Sequence, residues 1–505
     1  MKKIFALTTI LLSIAFVSCD SYLDINQDPN SPDEAAITTD ILMPAAEMNL
    51  ASSYGDFLRI AGGYYAQHYS QTFGTSNYLD YSQFTMSAVR SSSTYTQLYS
   101  RTLKSLKTIR EKAVEDDNYA ANLAATSLWA FTYQILVDCY GELPYSEAFG
   151  APENLTPKFD DGKDIYAGVI AELEEAIDAD LNTEVTPPTS FLYNSVEDWQ
   201  KFANAVLLKL YMRESGVVDV QAKLDALVSE GNFPESDVAF EGIWANESGH
   251  MSPFFAEEFA TTWGSTQINV IGNIAIIGTM QQTNSDGDIT YSDGRLGKFF
   301  AVNGSGDYTG GVSGTNFSTA EDAQKSSSFW NRPVASYDMP VYLITVSEIE
   351  FFLAEYYAKK GEGALAQQHY EAAVEASFES AGADGADEAI AQFPFGSNYK
   401  EAIGLAKWIA LAGTNNFEAW CELRRLGYPT FGTVTGNDIY NETSHKYAPE
   451  KYVPGTLYTP IQVNGNLGNN KVLQRWPYAE SSSSRNQNAP KQTETVYGTP
   501  VFWAK

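Results

Sequence analysis

The chain has 505 residues, a formal net charge of −31, 44% hydrophobic residues and three cysteines. A surface that acidic repels nucleic-acid phosphates and anionic lipid head groups, so nucleic acid is excluded as a partner and a neutral ligand fits better. Beyond the N-terminus the longest apolar stretch, Ile268–Met280, is broken by Asn269, Gly272, Asn273 and Gly278, and reads as buried strand or packed loop, not as a membrane span.

The N-terminus carries Lys2 and Lys3, an apolar run Ile4–Val17, small Ser18 and then Cys19. This pattern reads as a secretion signal cleaved ahead of Cys19, whose thiol then carries lipid; an ordinary signal peptide with a coincidental cysteine is the alternative. Such an anchor places the protein at a bacterial envelope surface, tethered rather than embedded. Removal of residues 1–18 leaves 487 residues and, without Lys2 and Lys3, a charge of −33. Cys139 and Cys421 both sit in apolar helical contexts and read as small buried residues, with a bridge as the alternative.

Residues 20–50 read as an ordered tether, in which Asp20, Asp24 and Asp28 alternate with Tyr22, Leu23 and Ile25 before the turn Asp28-Pro29-Asn30. Helical patterning then runs to about 230. Apolar residues recur at three-to-four spacing over Tyr95–Ala113, Ala120–Tyr140, Asp164–Leu181 and Val196–Glu214. Between about 232 and 340 glycine, serine, asparagine and aromatics replace that periodicity, and Asn303–Ser328 is especially poor in apolar residues. Helices return at Val346–Ala381 and Ala402–Leu426, and the tail 427–505 is turn-rich. The expectation is a single domain over 19–505, with helical repeats at about 50–230 and 340–430 and a loop-rich insertion between them.

Leu353, Ala354, Tyr357, Ala366, Tyr370 and Ala373 stand at the offsets of a tetratricopeptide repeat, with Gly361 and Gly363 in the turn. Trp199, Phe202, Ala203 and Val206 match its first helix. The predicted class is therefore mainly α: a tetratricopeptide-like helical-repeat core with an irregular, loop-rich insertion.

Catalytic motifs are scarce. The four histidines are His68, His250, His369 and His445, and His369 falls on the second helix of the best repeat, where an interhelix or surface contact is expected. There is no Gly-x-Ser-x-Gly, phosphate loop or His-Glu-x-x-His. Acidic clusters such as Glu172, Glu174 and Glu175 read as a solvated helix face, and an (α/α) glycoside hydrolase with paired carboxylates stands as the enzymatic alternative. Asn284, Asp286 and Asp288 alternate like calcium ligands, but Ile289 occupies the place of the required glycine, so a turn is expected, with calcium as the alternative. No cofactor is expected. Tyr78 and Tyr81 belong to one tyrosine group, and Trp263, Tyr291, Tyr308, Phe317 and Trp330 stand in low-apolar loops, where rings can stack on sugars or peptide side chains. These seven are the expected ligand-binding residues, with burial in the core as the alternative for each.

Several stretches together resemble the SusD/RagB family, in its SusD-like branch. Asp138-Cys139-Tyr140-Gly141-Glu142-Leu143-Pro144-Tyr145-Ser146-Glu147-Ala148 is similar to the family's D-x-Y-G-D-I-P-Y-S-E-A. Trp408-Ile409-Ala410-Leu411, Glu418-Ala419-Trp420 and Arg424-Arg425-Leu426-Gly427-Tyr428-Pro429 resemble its W-I-A-L…E-A-W…R-R-T-G-Y-P run. Pro157 with Asp164-Ile165-Tyr166, Thr345–Gly361, and Arg475-Trp476-Pro477-Tyr478 with Asn486 and Asn488 add further matches in the right order. Asp293-Gly294-Arg295 departs from the family's Asp-Pro-Arg, and Phe502-Trp503-Ala504 from its Trp-Trp-Asp ending. The resemblance implies a tetratricopeptide-like helical-repeat core packed against an irregular, loop-rich ligand-binding part, in a nutrient-binding lipoprotein of the outer membrane, facing outward, that captures a glycan or in some members a peptide. It also implies a SusC-like TonB-dependent transporter as partner, and Tyr140, Pro144 and Arg424 as fold determinants. A peptide-binding member of the family and a helical-repeat protein scaffold are the remaining alternatives.

Overall fold

The computed structural model describes residues 37–72, 74–179, 185–260, 269–315 and 330–504. Cys19, Trp263 and Phe317 lie outside the described residues. The first helix, α1, occupies 39–65 as Thr39–Ser53, a π-helical turn Tyr54–Leu58 and Arg59–Tyr65. It corrects the reading of 39–50 as tether: Met43, Ala46 and Leu50 are fully buried, and Pro44 is tolerated within the helix's first turns. A second interrupted helix, α2, runs over 88–115, with its π-helical segment at Gln97–Leu103.

Next come α3 (Tyr119–Tyr140), α4 (Gly162–Asp178), α5 (Val196–Glu214) and α6 (Gln221–Glu230). Side chains that prefer N-caps start three of them: Asn118, Asp161 and Ser195 each accept a backbone N–H of the first turn. Almost all of α3 is buried, because it is apolar around its whole circumference and sits at the centre of the array. The later helices are α7 (Val346–Lys359), α8 (Gly363–Ala381), α9 (Tyr399–Leu411) and α10 (Asn416–Leu426).

Helices α7 and α8 form the repeat hairpin. Ala354, Tyr370 and Ala373 are fully buried in one cluster with Phe351 and Phe378, and Gly361 takes φ +78° in the turn between them. Small residues at these positions let the two helices approach closely. His369 makes the interhelix contact, with Nδ1 2.6 Å from Glu350 and its ring stacked on Tyr357. Trp199, Phe202, Ala203 and Val206 on α5 are likewise fully buried.

Packing proceeds from helix to neighbouring helix and closes on itself, since α10 returns to the Arg59–Tyr65 end of α1. Gly62 permits that return: a Cβ there would stand 2.6 Å from the Asn416 carbonyl oxygen. Ion pairs buried within the array join α5, α7, α9 and α10, and Arg213 also reaches Asp138 on α3 at 3.7 Å. Lys209 on α5 lies 2.9 Å from Glu348 on α7 and 3.0 Å from Glu418 on α10. Arg213 pairs with Glu418 and Glu422, Lys407 with Glu422, and Arg425 with Glu355 and Glu422. On α3, Asp138 accepts from Tyr166 Oη at 2.6 Å and Trp503 Nε1 at 2.8 Å, so the C-terminal tryptophan plugs the same centre. Glu172 and Glu174, expected on a solvated face, are partly exposed and pair there with Arg110 and Lys223, and Glu175 is exposed.

The rest of the chain is built from two-stranded ladders and turns. Val238–Phe240 pairs antiparallel with Val341–Ile344, so both ends of the intervening segment meet. Val270–Gly272 pairs antiparallel with Tyr69–Gln71 and is followed at once by the helix Ile274–Met280, capped by Asn273. The apolar stretch at this point is thus part strand and part short helix. Cys139 and Cys421 are both buried free thiols. No described helix is long and apolar enough to cross a membrane.

Candidate functional site

Two asparagines organise the loop-rich face. Asn273 donates to Ser70 Oγ and Ser313 Oγ, each at 2.8 Å, and accepts from Tyr458 Oη at 3.0 Å. Its side chain is fully buried, so it ties the segments around 70, 273, 313 and 458 into one unit. Asn331 does the same nearer the surface. Its Oδ1 accepts from Thr309 N at 2.8 Å and Gly310 N at 3.1 Å, while its Nδ2 donates to Ala301 O at 3.1 Å and Asp307 O at 2.8 Å. The Asn331 carbonyl also accepts from Gly272 N at 2.7 Å, joining this staple to the strand pair beneath. Tyr447 Oη donates to the carbonyls of Thr309 and Gly310 and holds the same loop from its other side.

The staple fixes two of the expected residues, Tyr308 and Trp330, as direct chain neighbours of the residues it grips. Both are half-buried. Beside them the backbone of 299–302 runs against 332–334, through a bridge between Phe300 and Pro333. Phe300 is turned inward at 1% exposure, while Val302 and Val334 are outward at 49% and 46%. The half-buried rings of Tyr308 and Trp330 and the exposed Val302 and Val334 thus stand on segments that these hydrogen bonds join. Burial pushes the Tyr308 hydroxyl above its ordinary value, so it stays a neutral donor.

The other expected residues are placed differently. Tyr78 and Tyr81, expected beside a ligand, are core residues at 5% and 0% exposure, stacked on each other 5.5 Å apart with the Arg90 guanidinium over both rings. Their burial, the alternative expected for each ring, has a simple cause: the segment that carries them packs on the strand Tyr69–Gln71, where Gln71 Oε1 accepts from Tyr78 N. Tyr291 stands on the hairpin Gln281–Thr283/Ile289–Ser292, donates to Asp293 at 3.0 Å and meets the edge of Phe393. Asn284, Asp286 and Asp288 form the turn of that hairpin. Asn284 Oδ1 accepts from the backbone N–H of both Asp286 and Asp288, so its oxygen is engaged in an Asx turn. Among the described residues no group of three acidic, histidine or cysteine side chains is arranged to hold a metal.

The departure at Gly294 has a packing reason. A Cβ there would overlap the Asp384 carbonyl, while flanking Asp293 and Arg295 form a two-pronged ion pair and Arg295 lies 4.2 Å from the Phe378 ring centroid. Asn331, Asn273, Val302 and Val334 were not legible as site residues.

A family model described as starch-binding associating with outer membrane, SusD-like, matches residues 29–453. The fold is similar to that of a SusD homologue from Bacteroides uniformis, with a TM-score of 0.69 and 21% identity, over 91% of this chain and 98% of that one. It is also similar to a SusD homologue from Bacteroides thetaiotaomicron (TM-score 0.66, 20% identity, 92% and 96% covered). A third similar structure is described as a chitin-binding protein (TM-score 0.66, 21% identity, 91% and 99% covered). No curated protein matches the sequence.

Proposed function

From the premise that the chain belongs to the SusD/RagB family, whose matching model is described as starch-binding associating with outer membrane, we propose that it captures an oligomeric nutrient, a glycan, at the cell surface. In this reading the mature protein is anchored by lipid on Cys19 and hands its ligand intact to a SusC-like TonB-dependent transporter. The observation that carries the glycan class is the Asn331 staple, which holds Tyr308 and Trp330 half-exposed next to Val302 and Val334. Rings preset by the backbone lose little conformational entropy on stacking against a sugar, and backbone carbonyls and amides nearby can orient hydroxyls. The helical array supplies a rigid platform for that face. A peptide ligand uses the same aromatic surface and differs in the extended backbone it presents.

The test is a binding screen of the purified full chain against starch, chitin and other neutral oligosaccharides and against peptides, with each probe recovered afterwards and its chain length measured. Binding of one intact glycan class supports capture. Binding of peptides alone moves the chain to the peptide-binding alternative, and shortened saccharide shows a hydrolase.

A further inference from the structure

On the far end of α10 lies an open groove of about 440 Å³ whose lining inverts the charge of the molecule. The chain carries −31, yet this groove is lined by Lys400, Arg424, Arg425 and Lys471 and by no carboxylate. Arg425 is neutralised by Glu355 and Glu422. The other three cations are in no ion pair among the described residues. Arg424 is 3% exposed and spends its guanidinium on the Asp138 and Gln474 carbonyls while lying 3.6 Å from the Trp420 ring centroid. Lys400 and Lys471 reach solvent at the rim. The partial negative charge at the C-terminus of α10, about half an elementary charge, is outweighed by these three full charges.

The lining says what chemistry fits. Half-buried Phe431 forms one wall. Cations without a carboxylate partner and an aromatic wall in one groove match a sugar ring that bears a carboxylate. We propose that this groove binds a uronic-acid unit of an acidic saccharide, its carboxylate between Lys400 and Lys471 and its ring against Phe431. The site shares no residue with the Tyr308–Trp330 face and does not depend on the function proposed there.

The experiment is titration calorimetry of the full chain with tri-galacturonate, its fully methyl-esterified form and sodium sulfate. The expected result is binding of the uronate, at least about ten-fold weaker binding of the neutral ester, and a similar loss in Lys471→Glu with an unchanged melting temperature. Lys400→Glu, also at the surface, provides the second variant, and Trp330→Ala should leave uronate affinity unchanged. No uronate binding, equal binding of the ester, or indifference to both charge reversals overturns the proposal. Displacement of uronate by equimolar sulfate reduces the groove to a general anion site and also overturns it. Loss of uronate binding in Trp330→Ala places the ligand on the loop face, removing the groove while leaving the proposed function standing.

Discussion

Replacing Lys209 by methionine tests the buried ionic centre. Lys209, Glu348 and Glu418 are each 1% exposed or less, and Lys209 stands about 3 Å from both carboxylates. Glu418 retains Arg213 in the variant, but Glu348 is in no other ion pair among the described residues. Burial already holds the Glu348 carboxyl above its ordinary range, against the pull of Lys209. Without the lysine it must either stay charged and unpaired or take up a proton. Breaking one partner of a buried pair costs about 3–5 kcal/mol. Unfolding entropy of about 2.1 cal/mol/K per residue gives roughly 1 kcal/mol/K for a chain of this length, so the melting temperature should fall by about 3–5 °C. The pH dependence has a definite sign. A carboxyl whose folded pKa is raised is stabilising when protonated and loses that contribution as pH rises, so the Lys209→Met deficit should be larger near about pH 8 than near about pH 5.5. Lys209→Met combined with Glu348→Met removes the stranded charge and should recover more than half of the loss. Calorimetric melting of the three proteins at both pH values checks this. A single variant within about 1 °C of wild type, a pH-independent deficit, or a double variant no better than the single would refute the reasoning.

Four further outcomes follow from the same geometry. Asn331→Ala strands the Thr309 and Gly310 amides and frees the 301–310 loop; saccharide affinity should fall about ten-fold while melting drops by only a few degrees, read by paired titration and thermal scans. Two buried groups bend the stability profile in opposite senses. Burial raises Glu47 to about 7 from 4.5 against hydrogen bonds from Phe191 N and Ser190 Oγ, so its contribution is full below 4.5 and lost as pH rises through 7; Glu47→Gln should gain on wild type over that window by up to about 3 kcal/mol. Burial lowers His68 to about 3 from 6.5, so its contribution is present above 6.5 and lost as pH falls toward 3, an acid-side loss that denaturant melts across that window would show and that His68→Asn should flatten. Gly294→Ala places a methyl on the Asp384 carbonyl and should destabilise by about 2 kcal/mol or more, seen as an earlier denaturant midpoint.

The helices were readable wherever one face is apolar and the other wet. Val196–Glu214 coincides with its expected span, and the Tyr370 and Ala373 offsets reported a true hairpin. Helix α1 escaped because Thr39–Ser53 shows little contrast between faces, contains Pro44 and buries a glutamate, Glu47, on its inner side. The ionic centre was invisible for a related reason. Lys209, Arg213, Glu348 and Glu418 look like solvated charges on their own helices, and only the assembly of helices from distant parts of the chain makes them partners. At the site, composition marked the loops but not their orientation. Tyr78 and Trp330 occupy equally polar surroundings in sequence, yet Tyr78 packs on a strand while Trp330 sits beside the residue that braces the surface. Through their side chains the staples Asn273 and Asn331 bridge segments up to 204 and 30 residues away, which no local pattern reports.

The central claim is that Tyr308 and Trp330 form a stacking face for an oligomeric glycan. Titration of Trp330→Ala and Tyr308→Ala with the neutral oligosaccharide that binds the wild-type chain tests it most directly. The account predicts a loss of about 1–3 kcal/mol in each variant at unchanged melting temperature. Wild-type affinity in both variants, with folding intact, would contradict it and place the glycan elsewhere on the protein.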